Sequence, residues 1–247
     1  MNDTITAGSI LIKGAGGDEI EAYLASPDEP TPRGSMVVIH HLPGYDRATK
    51  EITRRFAELG YTAICPNLYS REAPGADPDD AAATARALGG VPDDRLVGDV
   101  GGAVDFLRGQ DSSNGKVGVI GYCSGGRQSF LAATSLPLDA AIDCYGAFVV
   151  GEPPPGMPWR VGPILDRAAT LSCPLLGLFG REDSHPSPEE VEELAQALRH
   201  NHKTFEFRVF DDAGHAFFAV DRPAYRQQAA VEGWKLIEDF LSRRLSD

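Results

Sequence analysis

Two alternating stretches open the chain. In "GSILIKG" and "EIEAYLAS" apolar and polar residues trade places at every second position, which is the period of a half-buried strand. The glycine turn "GAGGDE" between them predicts an antiparallel hairpin. After the short connection "EPTPRG" the pattern changes. "SMVVIH" (35–40) is a continuous apolar run, as expected of a parallel strand buried on both faces. In "ATKEITRRFAELG" (48–60) Ile52, Phe56 and Leu59 fall at helical spacing, and Gly60 supplies a C-terminal cap. "YTAICP" reads as the next strand. "NLYSREAPGADPDD" is a long irregular loop, and loops of that length in compact domains often serve a site.

Helical stretches follow at 79–89 and 93–109, then a strand over 116–120, a sharp turn, and a helix over 124–134. "LDAAIDCYG", "CPLLGLFG" and "TFEFRVF" predict three more strands, with helices at 187–199 and 222–243. The Pro- and Gly-rich segment 150–172 reads as a loop or lid, because β/α alternation resumes beyond it. The whole predicts one α/β domain over residues 1–247, with a mostly parallel central sheet, helices on both faces and an N-terminal antiparallel hairpin. In such a sheet the site lies at the carboxyl ends of the strands.

Composition narrows the function classes. A hydrophobic share of 42% is enough for a sizeable core. A net charge of −13 argues against nucleic acid, which needs clustered Lys and Arg, and gives no long-range attraction to an anionic substrate. No run approaches the roughly 18–20 apolar residues of a membrane span, and "MNDTITAGSI" lacks the basic start and apolar stretch of a secretory signal. Cys65, Cys123, Cys144 and Cys173 are scattered without metal-binding spacing, which favours a reducing, cytoplasmic home.

Three predicted strand ends carry reactive side chains. In "VGVIGYCSGGRQSF" a strand runs into Gly121-Tyr122-Cys123-Ser124-Gly125 and out into a helix, the layout of a nucleophile elbow with cysteine where serine is usual. Asp183 follows "LLGLFG", and His215 follows "TFEFRVF". Nucleophile, acid, histidine is the chain order of triads in α/β-hydrolases. In that reading the helix after Cys123 directs its positive end at the sulfur, His215 takes the thiol proton, and Asp183 fixes the imidazole. The backbone N–H groups of Leu42 and Ser124 are the expected oxyanion hole. Glu182 is the alternative acid. Cys65, Cys144 and Cys173 read as packing residues, and His200 and His202 as helix-end partners. His40, His41 and His185 lack zinc-motif spacing, so neither a metal nor another cofactor is expected.

"GYCSGG", "PNLYSREAPG", "GREDSHPS" and "DAGHAFF" together resemble the dienelactone hydrolase family, over nearly the whole chain from about residue 8. The resemblance implies an α/β-hydrolase fold with Cys123, Asp183 and His215 as its triad and Leu42 and Ser124 as its oxyanion hole. It also marks two departures. Members carry a glutamate that helps deprotonate the thiol where this chain has His41 in "HHLPG". Arginines that hold a substrate carboxylate in the family are not cleanly matched. Ala219 stands at one such position, and Arg86 aligns with another only when the loop after Arg71 is ungapped. A histidine beside the thiol can accept its proton and then attract the thiolate, so His41 predicts a persistently ionised Cys123; the alternative is that His41 only hydrogen-bonds its own loop.

The expected function is cofactor-free hydrolysis of an activated ester or lactone through a thioacyl-enzyme, of the carboxymethylenebutenolidase type. Thiolate is a good leaving group as well as a good nucleophile, so the substrate's own leaving group must depart easily. A thioesterase or aryl esterase of the same fold is the rival within enzymes. A non-turnover ligand-binding protein and a redox sensor are the rivals outside that class. Arg71 and Arg127 are candidate partners for a substrate anion, and Tyr145, Phe217, Phe218 and Trp159 for an apolar pocket. The expected partner is a small-molecule ester or lactone, with the chain a monomer or small homo-oligomer.

Overall fold

A computed structural model describes residues 4–29, 33–41, 44–157 and 159–246. One eight-stranded sheet runs through it. The alternating N-terminal stretches form the hairpin β1 (Ile5–Lys13) and β2 (Glu19–Pro27), paired from Ile5↔Pro27 to Lys13↔Glu19. The apolar runs become β3 (Ser35–Ile39), β4 (Thr62–Pro66), β5 (Val117–Tyr122), β6 (Ala140–Cys144), β7 (Leu175–Gly180) and β8 (Phe205–Phe210). Strand order is β1-β2-β4-β3-β5-β6-β7-β8, antiparallel through β4 and parallel from there to β8.

Continuous apolar runs are the sign of strands covered on both faces, and β3, β5, β6 and β7 are buried at every position. Successive side chains of β3 divide between two cores. Val37 and Ile39 pack with α3 (Asp93–Arg108), α4 (Ser124–Ala133) and α5 (Pro188–His200) through Leu96, Val100, Phe130, Leu131, Leu194 and Leu198. Met36 and Val38 pack with α1 (Arg47–Glu58) and α6 (Gln227–Leu245) through Phe56, Ile237 and Phe240. The remaining helix, α2 (Pro78–Ala87), adds Ala81, Ala82 and Ala85 to the first core. Among the described residues no helix is long and apolar enough to cross a membrane.

One helix boundary differs from the sequence expectation by more than two residues. The last helix starts at Gln227 rather than 222, because the chain before it is spent on turns returning from His215. In those turns Ala219, Arg222 and Tyr225 N–H groups each reach back three residues. The segment 150–172 contains a short 3₁₀ turn over Leu165–Thr170 and is tied down by backbone bonds from Arg160 to Gly89 and from Ile164 to Val149.

Arg71, in the long loop after β4, holds the hairpin to α3. Its guanidinium donates to Asp99 at 2.8 and 3.0 Å and to Asp18 at 2.8 Å, and Asp99 is fully buried. Asp99 also accepts the Ala15 N–H at 2.8 Å. Breaking a buried, bonded charge pair leaves the survivor unpaired, at a cost of about 3–5 kcal/mol. Asp99→Ala is therefore expected to lower unfolding free energy by about 3 kcal/mol in a urea titration.

Candidate active site

The turn after β5 is forced by backbone contact. Cys123 sits at φ 56°, ψ −121°, a left-handed conformation that non-glycine residues avoid. It is held there by close crossings on either side. A Cβ on Gly121 would lie 2.0 Å from the Gly125 carbonyl oxygen, and one on Gly125 would lie 2.5 Å from that of Ile39. Only glycine at both ends lets α4 start this near to β3 and β5. The Cys123 N–H donates to the Cys144 carbonyl at 3.0 Å, and its own carbonyl accepts from Gly126 at 2.9 Å, which locks the turn.

The other reactive groups come from β7 and β8. The loop after β8 folds back over the end of β7, where the Glu182 N–H donates to the Ala213 carbonyl at 2.9 Å. His215 is carried across to Cys123 in this way. Its Nε2 lies 3.0 Å from Cys123 Sγ, and its Nδ1 lies 2.8 Å from Asp183 Oδ2. The other Asp183 oxygen accepts the His185 backbone N–H at 2.9 Å, so this buried carboxylate is bonded at both oxygens. Burial works against a charged His215. The hydrogen bonds to Asp183 and Cys123, with their negative charge, outweigh it and raise the imidazole to about 10. Such a row can hold a proton on nitrogen beside an anionic sulfur.

Ser124 begins α4, where the first N–H groups of a helix are free to meet an anion. Leu42 lies outside the described residues. His41 does not bond to the thiol: its Nε2 lies 3.0 Å from Asp46 Oδ2. Asp46 also caps α1 by accepting the Thr49 N–H at 2.8 Å. Burial alone would raise Asp46, but its hydrogen bonds with His41 and Thr49 carry it down to about 2. His40 is buried beside this loop, receiving the Leu68 N–H on Nε2 at 3.1 Å, with Nδ1 3.0 Å from the His41 carbonyl. An accepting Nε2 leaves the proton on Nδ1, so His40 is a neutral donor to His41. Desolvation lowers it to about 4, which keeps that tautomer at neutral pH.

A cavity of about 380 Å³ opens beside Cys123, Ser124 and His215. Residues the sequence left unnoticed form much of its wall, among them Tyr69, Val91, Phe148, Met157 and Val161; Trp159 was expected there. Periodicity cannot find such residues, because they sit in loops after strands, in the connection between α2 and α3, or in the segment 150–172. Their signal is only the placing of large apolar side chains in Pro- and Gly-rich chain. Tyr145 and Phe217 stand behind the site instead of lining it. Tyr145 meets His215 edge-on at 5.2 Å between ring centres, and Phe217 backs Tyr145 at 5.1 Å. Phe218 joins that aromatic group against Tyr122. Arg127 reaches the cavity wall with its guanidinium bound to Asp93, and Arg71 is held at the hairpin.

Asp183, not the exposed Glu182, is the carboxylate that meets the imidazole. Near the site, a further buried acid carries no signal in the sequence. Asp143, at the end of β6, accepts the Gly146 N–H at 2.7 Å and pins the turn that carries Tyr145; burial raises it to about 7. His40, His41 and His185 do not converge, and no group of three His, Cys, Asp or Glu side chains among the described residues is placed to hold a metal.

This sheet order, with an elbow after β5 and the carboxylate and imidazole delivered after β7 and β8, is that of the α/β-hydrolases. The chain belongs to the dienelactone hydrolase family, whose model matches residues 20–245. A relative from Methylorubrum extorquens, provisionally named a carboxymethylenebutenolidase, is 34% identical over 230 residues, covering 90% of this chain and 76% of the relative. One of the same provisional name from Escherichia coli is 36% identical over 254 residues, covering 98% and 89%. A crystal structure from Klebsiella pneumoniae, provisionally titled a dienelactone hydrolase, superimposes with a TM-score of 0.84 at 29% identity, covering 97% of this chain and 99% of that one.

The elbow geometry is directly testable. Gly125→Ala places a methyl group against the Ile39 carbonyl, where backbone on both sides resists movement. A loss of about 2 kcal/mol or more is expected, read as a fall in melting temperature, together with loss of any Cys123-dependent activity.

Proposed function

We propose that the chain is a cysteine hydrolase of activated esters or lactones, with Cys123 as nucleophile, His215 as general base and acid, and Asp183 as the group that orients His215. The observation that carries this reading is the unbroken row Sγ–Nε2 and Nδ1–Oδ2, at 3.0 and 2.8 Å, facing an apolar cavity.

In this reading the resting proton sits on His215, and Cys123 attacks as thiolate. The carbonyl carbon becomes tetrahedral, and its oxyanion takes a hydrogen bond from the Ser124 N–H. The adduct then collapses. Either the C–S bond breaks and the substrate returns, or the original leaving group departs with the proton from His215. A thiolate is a better leaving group than an alkoxide, so only enolates, phenolates and thiolates compete with it. A water then enters, His215 removes its proton, and attack on the thioester releases the acid and restores Cys123. No cofactor enters any step. His41, bound to Asp46, acts here on its loop and not on sulfur.

Two outcomes are expected. Cys123→Ala abolishes turnover of p-nitrophenyl esters and of an enol lactone, while the wild type gives a burst followed by steady turnover. A burst without turnover would overturn hydrolysis in favour of a binding or sensing role.

The pH profile follows from His215. Its value in the fold, about 10, lies above the 6.5 of a free imidazole, so the imidazolium is present below about pH 10 and is lost above it. The same sign holds for stability: the contribution of this proton is full below pH 6.5 and gone once pH passes about 10. The basic limb of kcat/KM is therefore expected near pH 10, and Asp183→Asn should move it to lower pH while cutting kcat by about 10²–10⁴.

A further inference from the structure

The cavity beside Cys123 is walled by Val91, Ala147, Phe148, Met157, Trp159 and Val161. Its charged groups are unevenly distributed. Arg127 is the one lysine or arginine among the described lining residues; both its terminal nitrogens are engaged by Asp93, and its Nε is buried without a partner. It is 3% exposed, its two terminal nitrogens each donate to a different oxygen of Asp93 at 2.9 Å, and one of them also donates to the Gly162 carbonyl at 2.8 Å. Asp93 already balances this guanidinium's charge, and the Arg127 side chain is almost wholly buried. His215 is occupied by Asp183 and Cys123. Glu182, on the same wall, adds a negative charge, and the chain as a whole carries −13. None of residues 1–3, 30–32, 42, 43, 158 and 247 is a lysine or arginine.

We propose, on the basis of the hydrolase reading above, that this cavity takes the acyl part of an uncharged, apolar or aromatic ester or lactone, and rejects acyl groups that carry a carboxylate. A carboxylate placed against Phe148, Trp159 and Val161 gives up its water and meets no lysine or arginine outside an existing ion pair, which is the costly way to bury a charge; the unpartnered nitrogens on this wall, His185 Nδ1 and Trp159 Nε1, are themselves buried. A flat apolar acyl group gains from the same wall. The relatives' name denotes a butenolide with a carboxymethylene arm. In this chain the guanidinium that lines the cavity is already matched by Asp93. Two other arginines flank the wall without lining it. Arg86 on α2 acts on the Tyr69 hydroxyl from a distance, and the Arg160 side chain lies over Gly89.

The test uses two esters with one leaving group, 4-nitrophenyl benzoate and the 4-nitrophenyl monoester of terephthalate, which differ by a para carboxylate. On the wild type, kcat/KM is expected to be at least about 100-fold higher for the benzoate. The preference should survive 0.5 M salt, because it arises from desolvation inside the cavity and not from long-range repulsion. Calorimetric binding of both esters to Cys123→Ala reads the same preference without turnover. Benzoate binding tighter by about 100-fold, with no hydrolysis by the wild type, would sink the hydrolase reading and leave the cavity assignment standing. Equal affinities, or tighter binding of the terephthalate ester, would overturn the assignment. Arg86→Gln and Arg160→Gln then identify the source of the anion site, and under the proposal neither changes the ratio.

Discussion

The site depends on one strained residue. Cys123 holds a positive φ that its side chain disfavours, and it can do so because the backbone around it leaves no other path. Gly121 and Gly125 let two chain segments approach to distances that a single methyl group would forbid. That crossing sets the start of α4 against β3 and β5, presents the sulfur at the sheet edge, and brings the first N–H groups of the helix beside it. The surrounding turns conform to it. Asp143 pins the next loop through Gly146, and Gly126 has room only because it lacks a side chain near the Asp143 carboxylate.

Electrostatics at the site are local. The protein is strongly acidic, yet the group of interest is a cation, His215, kept charged by a buried carboxylate and by the sulfur it faces. The arginines show the converse. Arg71 and Arg127 are both consumed by buried or partly buried carboxylates, one holding the hairpin to α3 and the other holding α3 to α4. Their charges serve the fold. The cavity between Cys123 and the segment 150–172 is left with a mainly apolar wall.

Much of this was written in the sequence because it depends on local pattern. Period-two alternation gave the hairpin, continuous apolar runs gave the parallel strands, and Gly-x-Cys-x-Gly between strand and helix gave the elbow. The start of the last helix was misplaced because the chain before Gln227 is taken up by turns that return from His215. His41 was the clearest limit. Its neighbour in sequence is the loop after β3, but its partner is Asp46 at the cap of α1, and only the folded chain chooses between that carboxylate and the thiol.

By itself the sequence determined the class of fold, the order of its elements and the three side chains, Cys123, Asp183 and His215, that the fold brings into one hydrogen-bonded row, since each is marked by residues within a few positions of it. Tertiary structure decided which carboxylate meets His215, what Tyr145 and Phe217 support, and whether an arginine is free or spent. Those are questions of distance between segments far apart in the chain. They are settled by which partner lies within hydrogen-bond reach once the sheet has closed, and no spacing along the sequence encodes that.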